Sequence, residues 1–284
     1  MFKKRFLALI CGLVFSLGFA PLDLWVLSIL SISVLLNVLN EHSKKESFLI
    51  GYLFGFGMWL TGISWLYVSI HYHGNVSIIG SAFLILIFIS ILSLYSGLLF
   101  LLHSYLKLSN FSSLRLLSLP VAWVVIELLR SYLFTGFPWL ISGTMLADTL
   151  VDGFTPIIGA QGNSFYLVLM SSCIYEIFTK RDQRRSPLLF SFFLIFTVAS
   201  SYFLKSFEWT NAEDEIFVSL HQPNLTLEEK WSQPGIIHTQ GMIYKAIEMA
   251  KEGELIVFPE TALILSEKDN KSYIETISLK ASQK

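Results

Sequence analysis

Seven apolar runs, at 6–20, 24–39, 48–70, 77–106, 116–135, 154–178 and 186–205, fill most of the first 205 positions. A helix needs about 20 residues to cross the hydrocarbon core of a bilayer. The last five runs reach that length. The first two are short and are divided by Pro21 and Asp23. They either cross or form a hairpin that stops short, and crossing is the reading adopted. In lipid each backbone polar group must be satisfied within its own segment, so runs of this kind are helices. Composition agrees: 54% of residues are hydrophobic and only 14% charged, against about 25% charged in soluble domains. The fold expected is a multi-pass α-helical membrane bundle of about seven spans.

The N-terminus imitates a secretion signal, with Lys3, Lys4 and Arg5 before an apolar run to Ala20. Pro21 follows any cleavage point and further spans come after it, so the segment reads as a retained first helix. Cys11 and Cys173 each lie in an apolar run. They suit small buried fillers better than a disulfide or a metal site.

Charge placement gives an orientation. With seven crossings, one side holds Lys3, Lys4, Arg5, Lys44, Lys45, Lys107, Arg115, Lys180, Arg181, Arg184 and Arg185, while the short loops at 21–23, 71–76 and 136–153 hold no Lys or Arg. Positive loops face the cytoplasm. The N-terminus is therefore expected inside and the segment from about Phe207 outside, which in a bacterial inner membrane means the periplasm. A net charge of −1 gives no reason to expect a nucleic acid as partner.

The chain changes character near Glu208, and the two domains expected are 1–206 and 207–284. Ile216–Leu220 reads as a strand. Pro234 suits the first turn of a helix, and Ile236, Ile243, Ile247 and Ala250 fall at helical spacing. Gly253 ends that helix, and Leu255–Phe258 is a second strand, followed by Pro259-Glu260 and a further helix from Lys271. Two strands and one helix bury little core by themselves.

Glu260 is the leading catalytic candidate. It follows a strand end, where open α/β folds place their sites, and a carboxylate there can act as a general base; a solvated loop acid is the plainer alternative. Trp231, in the polar turn Glu228-Glu229-Lys230-Trp231, is either an interfacial anchor or a ligand platform. Trp139, in Thr135-Gly136-Phe137-Pro138-Trp139-Leu140, is either an aromatic-belt residue or a lipid-binding lip. Glu127 and Arg130, three apart on one helix face, are read as a structural ion pair. His71 and His73 are too few for a metal site, and Gly51 and Gly55 form a small-xxx-small pattern for close helix packing. No phosphate loop, dinucleotide fingerprint or Ser/Cys nucleophile motif is present, and neither metal nor cofactor is implied.

Three stretches together resemble the bacterial apolipoprotein N-acyltransferases. They are GYLFGFGMWLTGISWLYVSIHYHG at Gly51–Gly74, ELLRSYLFTGFPWL from Glu127 with Pro156-Ile157-Ile158-Gly159 beyond it, and HQPNLTLEEKW with IVFPETA in the tail. The resemblance implies a nitrilase-like (α-β-β-α sandwich) domain after the bundle, of which 207–284 would be the first part. It also implies a phospholipid acyl donor, a thioester on a Cys, and transfer to the N-terminal diacylglyceryl-cysteine of a lipoprotein. Glu260 matches the family's general base. Trp231 matches a functional Trp, and Trp139 matches the Trp of a substrate-binding loop. Pro223 departs from the Gly that relatives often carry. The family's Lys and Cys, and an eighth span, fall downstream of this Glu, whereas Lys284 is only 24 residues beyond Glu260. The expectation is an N-terminal portion of the enzyme, inactive as it stands because the nucleophile is missing. The alternative is a non-catalytic membrane sensor or transporter subunit with a small periplasmic domain.

Overall fold

The computed structural model describes residues 1–39, 43–106, 112–179 and 185–283, with the side chains of all these except 112–115 and 185–189. Among the orientation-setting cations, Lys107, Lys180, Arg181 and Arg184 lie outside the described residues, as do the side chains of Arg115 and Arg185.

The chain forms two compact units, Met1–Trp209 and Thr210–Lys284. The first unit extends three residues past the expected 206. The rings of Phe203 and Phe207 meet at 5.2 Å, and those of Phe207 and Trp209 at 6.2 Å, carrying its apolar contacts that far.

Each apolar run of the first unit lies in a helix: α1 Phe2–Phe15, α2 Trp25–Val38, α3 Lys44–Gly62, α4 Leu66–Val68, α5 Ile78–Leu106, α6 Ser112–Tyr132, α7 Thr155–Thr179 and α8 Arg185–Leu204. Among the described residues, three helices are long and apolar enough to cross a membrane unaided: Ile78–Leu106, Leu116–Thr135 and Thr155–Thr179. The run at 48–70, read as one continuous span, is instead bent by 64° between Lys44–Gly62 and Leu66–His73. Trp25–Val38 and Phe190–Leu204 are shorter apolar helices.

Small residues on α3 set the packing. A Cβ on Gly51 would lie 2.6 Å from the Ser96 carbonyl, and one on Gly55 would lie 2.5 Å from Ser96 Oγ, so that face admits α5. A Cβ on Gly57 would strike the Leu9 carbonyl, so another face admits α1. Close backbone approach of this kind replaces the hydrophobic effect, which is absent between helices in lipid. Phe15, Phe54, Phe100 and Trp123 fill the space between, with Phe15–Phe54 at 5.5 Å and Phe54–Phe100 at 5.8 Å. Buried serines tie helices through carbonyls, as Ser31 does to Cys11 and Ser33 to Ser171. Cys11 and Cys173 are free and buried.

Helix directions alternate. Arg5 grips Glu46 at the start of α3 through two bonds of 2.9 Å, and Lys44 sits 3.6 Å over the Tyr105 ring at the end of α5. Ser118 of α6 meets His103 of α5 at 3.0 Å. Arg5 and Lys44 thus lie at one end of the bundle, whereas Arg130 and Lys205 bond to the loops between α6 and α7. The loops that hold Leu140 lie at the other end, against Gly62 of α3.

The second unit is a parallel β-α-β arrangement. β1 (Val218–Leu220) pairs with β2 (Leu255–Val257) in the register Val218↔Leu255 and Leu220↔Val257. Between them lie α9 (Leu227–Lys230) and α10 (Gln233–Met249), and α11 (Lys271–Ala281) follows. Pro234 sits in the first turn of α10, and Ser232 accepts the Gly235 amide as its cap. Ile243 and Ile247 are buried, as their spacing requires. The helix stops at Met249, earlier than Gly253, which instead takes a left-handed turn into β2. Tyr273 Oη donates to the Gln240 carbonyl at 2.6 Å, docking α11 on α10.

Candidate functional site

In the second unit the site is built at the end of β2. Phe258-Pro259-Glu260 leaves the strand, and Thr261 follows in the left-handed region at φ 54°. Asn224, after β1, is also left-handed at φ 53°. Two tight turns at adjacent strand ends thereby frame a cavity of about 180 Å³ lined by Gln222, Asn224, Lys230, Thr239, Glu260 and Thr261. Thr239 is buried, and its hydroxyl has no hydrogen-bond partner among the described residues.

Lys230 reaches this cavity from α9. Its ammonium donates to the Glu260 carbonyl at 3.2 Å and to Thr261 Oγ1 at 2.8 Å. A cation is thereby fixed beside the carboxylate-bearing turn. The helix that carries Lys230 is held by a capping box. The Thr226 amide and hydroxyl donate to Glu229 Oε2 at 2.9 and 3.0 Å, and the Glu229 amide returns to Thr226 Oγ1. The Thr226 amide bond, helped by its hydroxyl, holds the Glu229 carboxyl below the usual carboxylate range. In the turn before β2, the Lys251 amide holds the Glu254 carboxyl low as well.

Sequence reasoning singled out Glu260 and Trp231. Glu260 lines the cavity, whereas Trp231 is exposed on the turn after α9 and does not line it. Lys230 and Thr261 were missed. In sequence Lys230 is only a lone cation in an acidic turn, because the partners that give it a role, Glu260 and Thr261, lie far along the chain.

In the first unit, Trp139 stands half exposed on a loop between α6 and α7. It stacks on Phe137 at 5.1 Å and faces Trp65 at 6.4 Å, forming an aromatic shelf. The backbone beneath is unusual: Phe134, Thr135, Gly136 and Leu140 all have positive φ.

Glu127 and Arg130 lie under this loop, both buried. They share a helix face as the spacing requires, and their charges attract. A direct salt bridge between them is nevertheless absent among the described residues, which corrects the expected pair. Arg130 donates to the Phe137 and Trp139 carbonyls and, more weakly, to that of Leu140 at 3.5 Å. Glu127 Oε1 accepts from the Ser142 amide at 2.8 Å, the Ser142 hydroxyl at 2.7 Å and Trp123 Nε1 at 3.0 Å. Arg130 thus bonds to the loop, and Glu127 Oε1 to the loop and to Trp123 of α6, in place of a bond to each other. Glu127 Oε2 and Trp59 Nε1 are buried without a partner among the described residues. Both residues line a cavity of about 30 Å³, which suits one water molecule.

Comparison with known proteins adds an independent line. A family described as the apolipoprotein N-acyltransferase N-terminal domain matches residues 11–173. A Coxiella burnetii protein named apolipoprotein N-acyltransferase is 32% identical over 282 residues, covering 98% of this chain and 57% of that protein. Proteins of the same name from Photobacterium profundum and Methylococcus capsulatus are 33% and 32% identical, over 93% and 92% of this chain. The chain spans about half the length of these curated relatives.

Proposed function

The chain belongs to the apolipoprotein N-acyltransferase family, and we propose that it supplies the membrane bundle and the Glu260 turn for acyl transfer onto lipoproteins. The observation that carries this reading is the Glu260 turn itself. It stands at the end of the second of two parallel strands, in a cavity with a lysine anchored to its backbone. In this reading Glu260 is the general base that takes a proton from a cysteine thiol. The thiolate then attacks the ester carbonyl of a phospholipid, the lysophospholipid leaves, and a thioester forms. The α-amine of a diacylglyceryl-cysteine next attacks that thioester, forming the amide and releasing the thiol.

Cys11 and Cys173 are buried in the helical unit, and residues 210–284, which include Glu260, contain no cysteine. Residues 1–284 expressed alone are therefore expected to transfer no acyl chain. Trp139, beside Trp65, is read as the phospholipid-contacting surface, and Trp231 as a contact for substrate at the second unit.

The seven helical runs are read as seven crossings of the bacterial inner membrane. The end holding Arg5 and Lys44 is cytoplasmic, and the segment after α8 is periplasmic. The second unit is read as the first part of a nitrilase-like domain, on the strength of its β-α-β order and its Phe-Pro-Glu strand end.

The test is Glu260→Gln introduced at the chromosomal locus. N-terminal peptides of the cell's lipoproteins are expected to lose the amide-linked acyl chain by mass spectrometry. Undiminished N-acylation in that variant would refute the assignment.

A further inference from the structure

We propose that Arg130 and Glu127 are positioning residues that hold Trp139 in place for contact with phospholipid, an inference that rests on reading Trp139 as lipid-contacting. The two charges bracket one loop. Arg130 takes the carbonyls of Phe137 and Trp139 at its start, and Glu127 takes the amide and hydroxyl of Ser142 at its end. Buried charges in a bundle are retained where they are paired or functional. Here their partners include backbone groups of Phe137, Trp139 and Ser142, which span Trp139. The loop also needs holding. Phe134, Thr135, Gly136 and Leu140 are all left-handed, and non-glycine residues keep such conformations only where the surroundings over-determine them. The absence of a side chain at Gly62 leaves the space that Leu140 occupies. The guanidinium lies 5.0 Å from the Trp59 ring, and its N–H groups point at the loop. The result is a planar fork, rigid beneath and aromatic above, that presents Trp139 beside Trp65.

The test uses the 284-residue chain in proteoliposomes made with brominated phosphatidylcholine, which quenches tryptophans in contact with lipid. Trp139→Phe defines the Trp139 component of the quenching. Hydrogen exchange of the 133–142 segment is read in the same samples. Arg130→Gln is expected to lose that component and to raise exchange in the segment. Arg130→Lys, a point charge in place of a fork, is expected to restore part of both. It also serves as the second variant if Arg130→Gln does not insert. A Trp139 component kept in full by the Arg130 variants overturns the positioning role. If Trp139→Phe changes no quenching, the lipid-contact reading itself fails and the inference falls with it. Raised exchange in Arg130→Gln alongside that result would identify a purely structural clamp.

Discussion

Lys230→Met is the sharpest probe of the Glu260 turn, because methionine keeps the apolar stem and removes only the ammonium. The native ammonium makes two bonds, to the Glu260 carbonyl at 3.2 Å and to Thr261 Oγ1 at 2.8 Å. Both are solvent-accessible, so each falls at the low end of net hydrogen-bond strength, roughly 0.5 kcal/mol, or about 1 kcal/mol together. Opposing them is Thr261 at φ 54°, a β-branched residue in a conformation costing roughly 1–3 kcal/mol. The lysine bonds are thus similar in size to the strain beside them, and their loss releases the turn. The reporter is the Ala262 amide, which closes the turn onto the Pro259 carbonyl at 3.2 Å. A loss of about 1 kcal/mol corresponds to roughly fivefold faster exchange of that amide. Thr261→Gly removes the left-handed strain, so combining it with Lys230→Met should recover most of the lost protection. Hydrogen exchange with fragment-level mass resolution reads all three variants. Unchanged Ala262 exchange in Lys230→Met would show that the lysine is a bystander and that the turn holds itself.

Gly57→Leu is expected to destabilise the bundle by about 1–3 kcal/mol through overpacking, because the obstruction is the Leu9 backbone carbonyl; thermal aggregation in detergent measures it. The Glu229 carboxyl is held low chiefly by the Thr226 amide, so its folded pKa lies below its unfolded one. Its contribution to α9 is present above the unfolded value, near pH 4.3, and is lost as pH falls through the folded one. Glu229→Gln should flatten that dependence in exchange rates corrected for intrinsic chemistry. A reporter fused after residue 183 is expected in the cytoplasm and one after residue 212 outside, and the reverse outcome would sink the periplasmic placement of Glu260.

What the sequence made legible is what local pattern encodes. Apolar run length located the helices of the first unit. Small residues at Gly51 and Gly55 announced a close-packed face, and a Pro near the start of a periodic segment announced α10. The bend near Ile63 was hidden, because an apolar run reads the same straight or broken. The Glu127–Arg130 pair shows the same limit more deeply. A spacing of three correctly places both charges on one face of α6, yet spacing says nothing of what that face meets. It meets the backbone of residues 137–142, whose carbonyls and amides have no signature in side-chain order. Once that loop is packed there, the fork of N–H donors is taken up by the carbonyls of Phe137 and Trp139. The carboxylate in turn accepts from the Ser142 amide and hydroxyl and the indole of Trp123. Lys230 was overlooked for a related reason: its partners, Glu260 and Thr261, are distant in sequence and arrive only because two parallel strands bring their ends together. In both units the residue with the obvious signature, Trp139 or Glu260, is the one displayed. The residue that holds the display in place carries its meaning only in three dimensions.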